Sequence, residues 1–100
     1  MYKRILLKLS GEQLQGQYTG GFDVERARWI AHQIKPAVEA GTQVAIMVGG
    51  GNYVRGAQIV GNGVAPVTAD NVGMLSTLIN ALTLSDVFND QGLETRPLSS

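Results

Sequence analysis

Apolar residues along the chain fall into short unbroken runs and into longer stretches with helical spacing. RILLKL (Arg4–Leu9) and QVAIMV (Gln43–Val48) are short, end at small residues and predict buried strands. The second is apolar after its first residue and predicts a strand covered on both faces. Gln13 to Phe22 is polar, carries Gly16, Gly20 and Gly21, and predicts a loop. Asp23 then stands where a helix N-cap belongs, with Glu25 in the first turn. Val24, Ala27, Ala31, Ile34 and Val38 recur at three- and four-residue spacing and mark one helical face, while Gly41 supplies the C-terminal stop. Pro36 should kink that helix or loosen its last turns.

Thr68 to Gln91 predicts a long helix stopped by Gly92. Its apolar residues surround much of the axis, so it should be buried on more than one side, by its own sheet and by another subunit. ETRPLSS begins like a third strand, and there the sequence stops. The order β-α-β-α-β predicts an α/β fold, a mainly parallel sheet with helices on its faces. A final strand at that place would be unprotected. The expectation is therefore that residues 1–100 are half of one larger α/β domain.

Composition narrows the classes. One hundred residues with 44% apolar content suit at most one globular domain. Eight basic and eight acidic side chains cancel, so no net field steers the chain to nucleic acid or an anionic membrane. The absence of cysteine excludes disulfides and thiolate metal sites and fits a cytoplasmic address. MYKRILLKLSGE starts basic, but Lys8 interrupts its short apolar run, so it is neither a signal peptide nor a membrane span.

Both strands run into glycine-containing turns, KLSGE after the first and GGGN after the second. In parallel sheets ligands gather beyond the carboxyl ends of the strands. Successive glycines let the backbone approach a ligand and turn its N–H groups towards an anion. The plain alternative is a tight strand-to-helix turn with no ligand. Lys8 is either a strand-end lysine reaching water or the cation facing a phosphate. Arg55 is either a solvated arginine or a bridge between phosphate oxygens. Asp70, in the first turn of the long helix, is either a dipole partner or an acceptor for sugar hydroxyls. Two familiar phosphate loops are not met. Gly51 and Gly56 have Walker A separation, but Ala57 and Gln58 follow, and Val54 stands where a dinucleotide fingerprint needs its third glycine.

The one histidine, His32, lies away from the apolar face, as does Trp29. The chain thus offers no obvious general base, nucleophilic cysteine or metal-binding histidine pair. Phosphoryl transfer onto an existing phosphate needs none, because the acceptor oxygen is largely ionised near neutral pH.

KLSGE, VGGGNYVRG and TADNVGMLSTLINAL together resemble the bacterial uridylate (UMP) kinases of the amino-acid-kinase fold family. The resemblance implies a three-layer αβα sandwich, transfer of phosphate from ATP to UMP in pyrimidine biosynthesis, and magnesium with the ATP. It further implies that Lys8 and Arg55 are catalytic and that Lys8, Leu9, Ser10, Gly11, Gly51 and Arg55 contact ATP. Gly50 and Asp70 would contact UMP. Gly16, Gln17, Tyr18, Thr19, Gly20 and Gly21 would match a loop linked to activation, and the chain would assemble as a cytoplasmic homohexamer. Many relatives use basic residues on the long helix to bind GTP between subunits, whereas the matching Ser85 and Asn89 carry no charge. The resemblance spans less than half of the family's length. It leaves the adenosine pocket, a catalytic aspartate and part of the UMP site outside, which implies that these residues alone are inactive. Two other readings stand beside it: a non-catalytic anion-binding or subunit-docking module, and a sister kinase for another small acid.

Overall fold

The computed structural model describes residues 3–18, 20–53 and 63–97. Five elements follow in order: strand β1 (Arg4–Leu9), helix α1 (Gly11–Leu14), helix α2 (Val24–Glu39), strand β2 (Gln43–Val48) and helix α3 (Pro66–Asp90). The strands pair in parallel, with Arg4 opposite Gln43 and Leu9 opposite Val48. The α2 crossover between them is the connection a parallel pair requires.

Strand alternation sorts the sheet into two faces. Leu7 and Leu9 of β1, with Val44, Ile46 and Val48 of β2, pack against a core of Leu14, Ala27, Ile30, Ala31, Ile34, Leu84, Phe88 and Leu93. Helices α1, α2 and α3 all contribute to that core, so they cover one face of the sheet. The other face, with Leu6 and Met47, is exposed. The expected cover of β2 on both faces is therefore corrected: among the described residues no element lies over that second face. The mixed α/β class with a parallel sheet stands, and the described residues supply two of the three layers.

Local chemistry explains most boundaries. Asp23 caps α2 through Oδ1, which accepts from the Glu25 N–H at 3.0 Å. The helix runs through Pro36 to Glu39 without ending there. Gly41, at φ 95°, then takes the left-handed conformation that closes a helix. Of the predicted α2 stripe, Ala27, Ala31 and Ile34 are buried together with Ile30, while Val24 and Val38 at its two ends are exposed. His32 is exposed, as its helical phase predicts. Trp29 is exposed too, with the Arg26 guanidinium over its ring at 5.3 Å.

Three further expectations change. The segment predicted as loop begins helically, because α1 turns immediately after β1 and drives Leu14 fully into the core. Helix α3 starts at Pro66, a residue suited to the first helical position. Asp70 consequently lies beyond the first turn and is not a cap. The residues after α3 form no strand through Pro97; they are pinned to the helix. Asn89 Oδ1 accepts from the Thr95 N–H and hydroxyl, both at 3.0 Å, and Thr95 Oγ1 meets Ser85 Oγ. Lys35 Nζ donates to the Gln91 carbonyl at 3.0 Å, placing a cation at the α3 C-terminus.

Leu14 tests the status of α1. Leu14→Ala should lower stability by about 2–5 kcal/mol, the usual cost of emptying a filled core site. Urea unfolding would show this as a fall in midpoint, and a change near zero would place Leu14 outside the core.

Candidate functional site

The parallel register ends β1 and β2 side by side, so the turns that follow them share one edge of the sheet. The Gly49 N–H donates to the Leu9 carbonyl at 3.0 Å, carrying the ladder one residue beyond β2. Gly11 is buried directly against the second turn. A Cβ there would sit 2.4 Å from Gly51 N and 2.6 Å from Asn52 N, so no side chain fits. Gly50 is pressed on α3 in the same way, since a Cβ would lie 2.6 Å from Ser76 Cβ and 2.8 Å from Thr77 N. Neither glycine has positive φ. Here glycine serves close approach between protein segments: the two turns touch each other and the helix.

The buried face of α3 changes character along its length. Leu84 and Phe88 enter the core shared with α2, whereas Ala69, Ser76 and Asn80, nearer the N-terminus, are small or polar. Asn80 is fully buried. Its Nδ2 donates to the Gly49 carbonyl and to Asn52 Oδ1, each at 2.7 Å. Asn52 returns a bond from its own Nδ2 to Asn80 Oδ1 at 3.1 Å and donates to the Gly21 carbonyl at 2.7 Å. The Asn52 carbonyl accepts from the Gly21 N–H at 2.8 Å. The glycine turn, α3 and the end of the 16–21 loop therefore meet at two side-chain amides. Both stand in the motifs that carry the family resemblance, but the sequence assigned neither a role. The available signal was an asparagine inside an otherwise apolar helical stretch, where it is a poor helix former.

The predicted site residues divide as follows. Lys8 is exposed on the open face of the sheet, opposite Met47 in the register. Leu9 is half-buried on the helical face. The Ser10 N–H is taken by Gln13 Oε1 at 2.7 Å, which tightens the first turn. Gly11, Gly50 and Gly51 come together, with Glu12 beside Gly51. Asp70 is exposed on α3 and shares a helical face with Gly73 and Thr77, one and two turns further on. Thr77 is the residue whose backbone nitrogen underlies Gly50. In the 16–21 loop Gly16 has φ 56° and packs on Asp23, Gln17 and Tyr18 are exposed, and Gly20 and Gly21 lie against Asn52. Arg55 and Thr19 lie outside the described residues.

Residues 3–100 match the amino acid kinase family model. The chain belongs to the amino acid kinase family. Within it, the chain is 45% identical over 100 residues to the uridylate kinase of Methylococcus capsulatus, covering all of this chain and 42% of that protein. It is 46% identical over 99 residues to the uridylate kinase of Xanthomonas axonopodis pv. citri, covering 41% of it. Among solved structures, UMP kinase from Bacillus anthracis superposes with a TM-score of 0.79 at 42% identity, over 89% of this chain and 36% of that one. UMP kinase from Ureaplasma parvum gives 0.82 at 32% identity, over 95% and 41%. The chain thus spans about two-fifths of the length of the curated relatives it matches.

Two glycine-to-alanine changes should have opposite signs. Gly50→Ala should destabilise by about 1–3 kcal/mol, because backbone must move to admit the methyl group. Gly73→Ala, inside α3 with nothing near its missing Cβ, should stabilise by about 0.5–1 kcal/mol. Thermal unfolding of both variants reads the pair, and equal effects would contradict the close approach at Gly50.

Proposed function

We propose that residues 1–100 are the N-terminal, UMP- and phosphate-binding part of a uridylate kinase, which transfers the γ-phosphoryl group of ATP to UMP and releases ADP and UDP. The observation that carries this reading is the meeting of both glycine turns at one sheet edge, in a chain similar throughout its length to proteins named uridylate kinase. The acceptor is already a phosphate, so the chemistry asks for positioning and charge stabilisation, and no general base is needed. Lys8 would face the transferring phosphoryl, and Leu9, Ser10, Gly11 and Gly51 would line the ATP side of the turn. Gly50 and Asp70 would hold UMP. Arg55 would bind phosphate near the junction of donor and acceptor.

ATP would arrive with magnesium, which adds positive charge to the phosphates. Among the described residues no three His, Cys, Asp or Glu side chains cluster so as to hold a metal. They do not form a cage for the ion. Among the same residues no helix is long and apolar enough to cross a membrane. The reading carries a cytoplasmic location and no nucleic-acid partner with it.

The face of α3 turned away from the core supports assembly. Val67, Met74, Leu75, Ile79 and Leu82 are all exposed, Val67 by 72% and Met74 by 61%. An apolar stripe of that extent on a helix suits burial against protein. A second copy of the chain is the proposed cover, within a hexamer.

Two measurements test these assignments on the protein as its source cell makes it. In a coupled assay of UDP formation, Lys8→Ala should lower kcat by about 10²–10³-fold, the usual effect of removing a preorganised charge from a developing one. Near-normal turnover would remove Lys8 from the chemistry, and an inactive parent protein would overturn the kinase reading itself. Sedimentation of a Leu75→Glu, Ile79→Glu variant should show smaller assemblies than the parent, and an unchanged profile would move the subunit contact off α3.

A further inference from the structure

The reciprocal amide pair of Asn52 and Asn80 lies against the glycine turn without belonging to any set of residues assigned above. Its geometry is closed. Each side-chain NH2 group has two hydrogens, and all four are donated: two across the pair, one to the Gly49 carbonyl and one to the Gly21 carbonyl. Asn52 is 4% exposed and Asn80 is 0% exposed. A buried polar pair with every donor satisfied fixes one arrangement, because any shift leaves an amide unpaired in a dry setting. The arrangement also fits a single shape of the turn. The Gly49 carbonyl is held to α3 from one side, and the Asn52 backbone and side chain are held to Gly21 from the other. Gly50 and Gly51 are the residues suspended between these two anchors.

We infer that Asn80 and Asn52 are positioning residues, which set the aim of the Gly50 backbone N–H and so the affinity and alignment of the phosphate of UMP, with Gly51 on the ATP side held by the same two anchors. This rests on the uridylate kinase reading and adds to it two residues that touch no substrate. Asparagine is specifically required at both places. Aspartate has the same shape but no donors, and at position 80 it would set an oxygen against the Gly49 carbonyl and Asn52 Oδ1. Glutamine would place the amide one methylene too far along.

The test uses the protein as its source cell makes it, with the unsubstituted enzyme assayed first. Absence of UMP phosphorylation there would overturn the kinase reading and with it this inference. Given activity, Asn80→Asp and Asn52→Asp should each reduce kcat/KM for UMP by about 10- to 100-fold at temperatures well below their unfolding midpoints. The double variant should lose little more than either single one, because both changes break the same unit. Thr83→Ala, which removes a hydroxyl that donates, among the described residues, to the Ile79 carbonyl of its own helix, should stay within about twofold in the same assay. Folded aspartate variants with unchanged kcat and KM would overturn the inference, as would purely additive losses. Should the variants fail to fold, the unsubstituted protein still decides the matter. The side-chain amide resonances of Asn52 and Asn80 should shift on titration with UMP, in step with the backbone resonance of Gly50. Resonances that stay fixed while Gly50 moves would reject the role.

Discussion

The carboxyl ends of the two strands can be joined only because Gly11 has no side chain. With a Cβ at that position, the backbone of the second turn would be forced away from the first. The edge would then split into two unrelated loops. A similar constraint repeats one layer further on, where Gly50 lies on the backbone of α3. Space, more than backbone freedom, is what these glycines provide: neither requires a left-handed conformation. From these two contacts follow the position of α3, the place of Asn80 beneath the turn and the stitching of the 16–21 loop to Asn52.

Much of the framework was legible in the residues. Strand bounds agreed for both strands because short apolar runs ending at small residues have few other interpretations. The Asp23 cap and the Gly41 stop agreed because each acts through a local bond or dihedral angle. The start of α3 did not. Its Pro66 could open a helix or break one, and only the packing of the first turn distinguishes these uses. Burial was read less well than secondary structure. Periodicity says which residues share a face, yet it says nothing of whether another layer lies over that face. Leu6 and Met47 were therefore expected inside and are found outside.

For the site, the glycine pattern located the edge, whereas Asp70, read as a first-turn residue, lies further along α3 because the helix starts at Pro66. The asparagine pair was not legible. Its two members stand 28 positions apart, and neither has meaning until the fold brings them together. The same holds for Ser85 and Asn89. Read along the chain they are uncharged positions on a helix, and in three dimensions they pin Thr95 back onto it. Polar residues inside apolar helices thus carry information that composition alone assigns to no partner.

The register of the sheet also has a consequence in time. Arg4 pairs with Gln43 and Leu9 with Val48, so no bond of this ladder is local, and among the described residues the strand partner of β1 is β2, which leaves the ribosome later. In the interval a strand of six residues, four of them apolar, waits beside a growing chain. Helix α2 shortens the search that follows. Its sixteen residues can coil locally on a microsecond scale, drawing together ends that a flexible chain would have to find by diffusion. Its N-cap and its apolar stripe therefore act on the speed of strand pairing, once β2 is present, as well as on the finished fold.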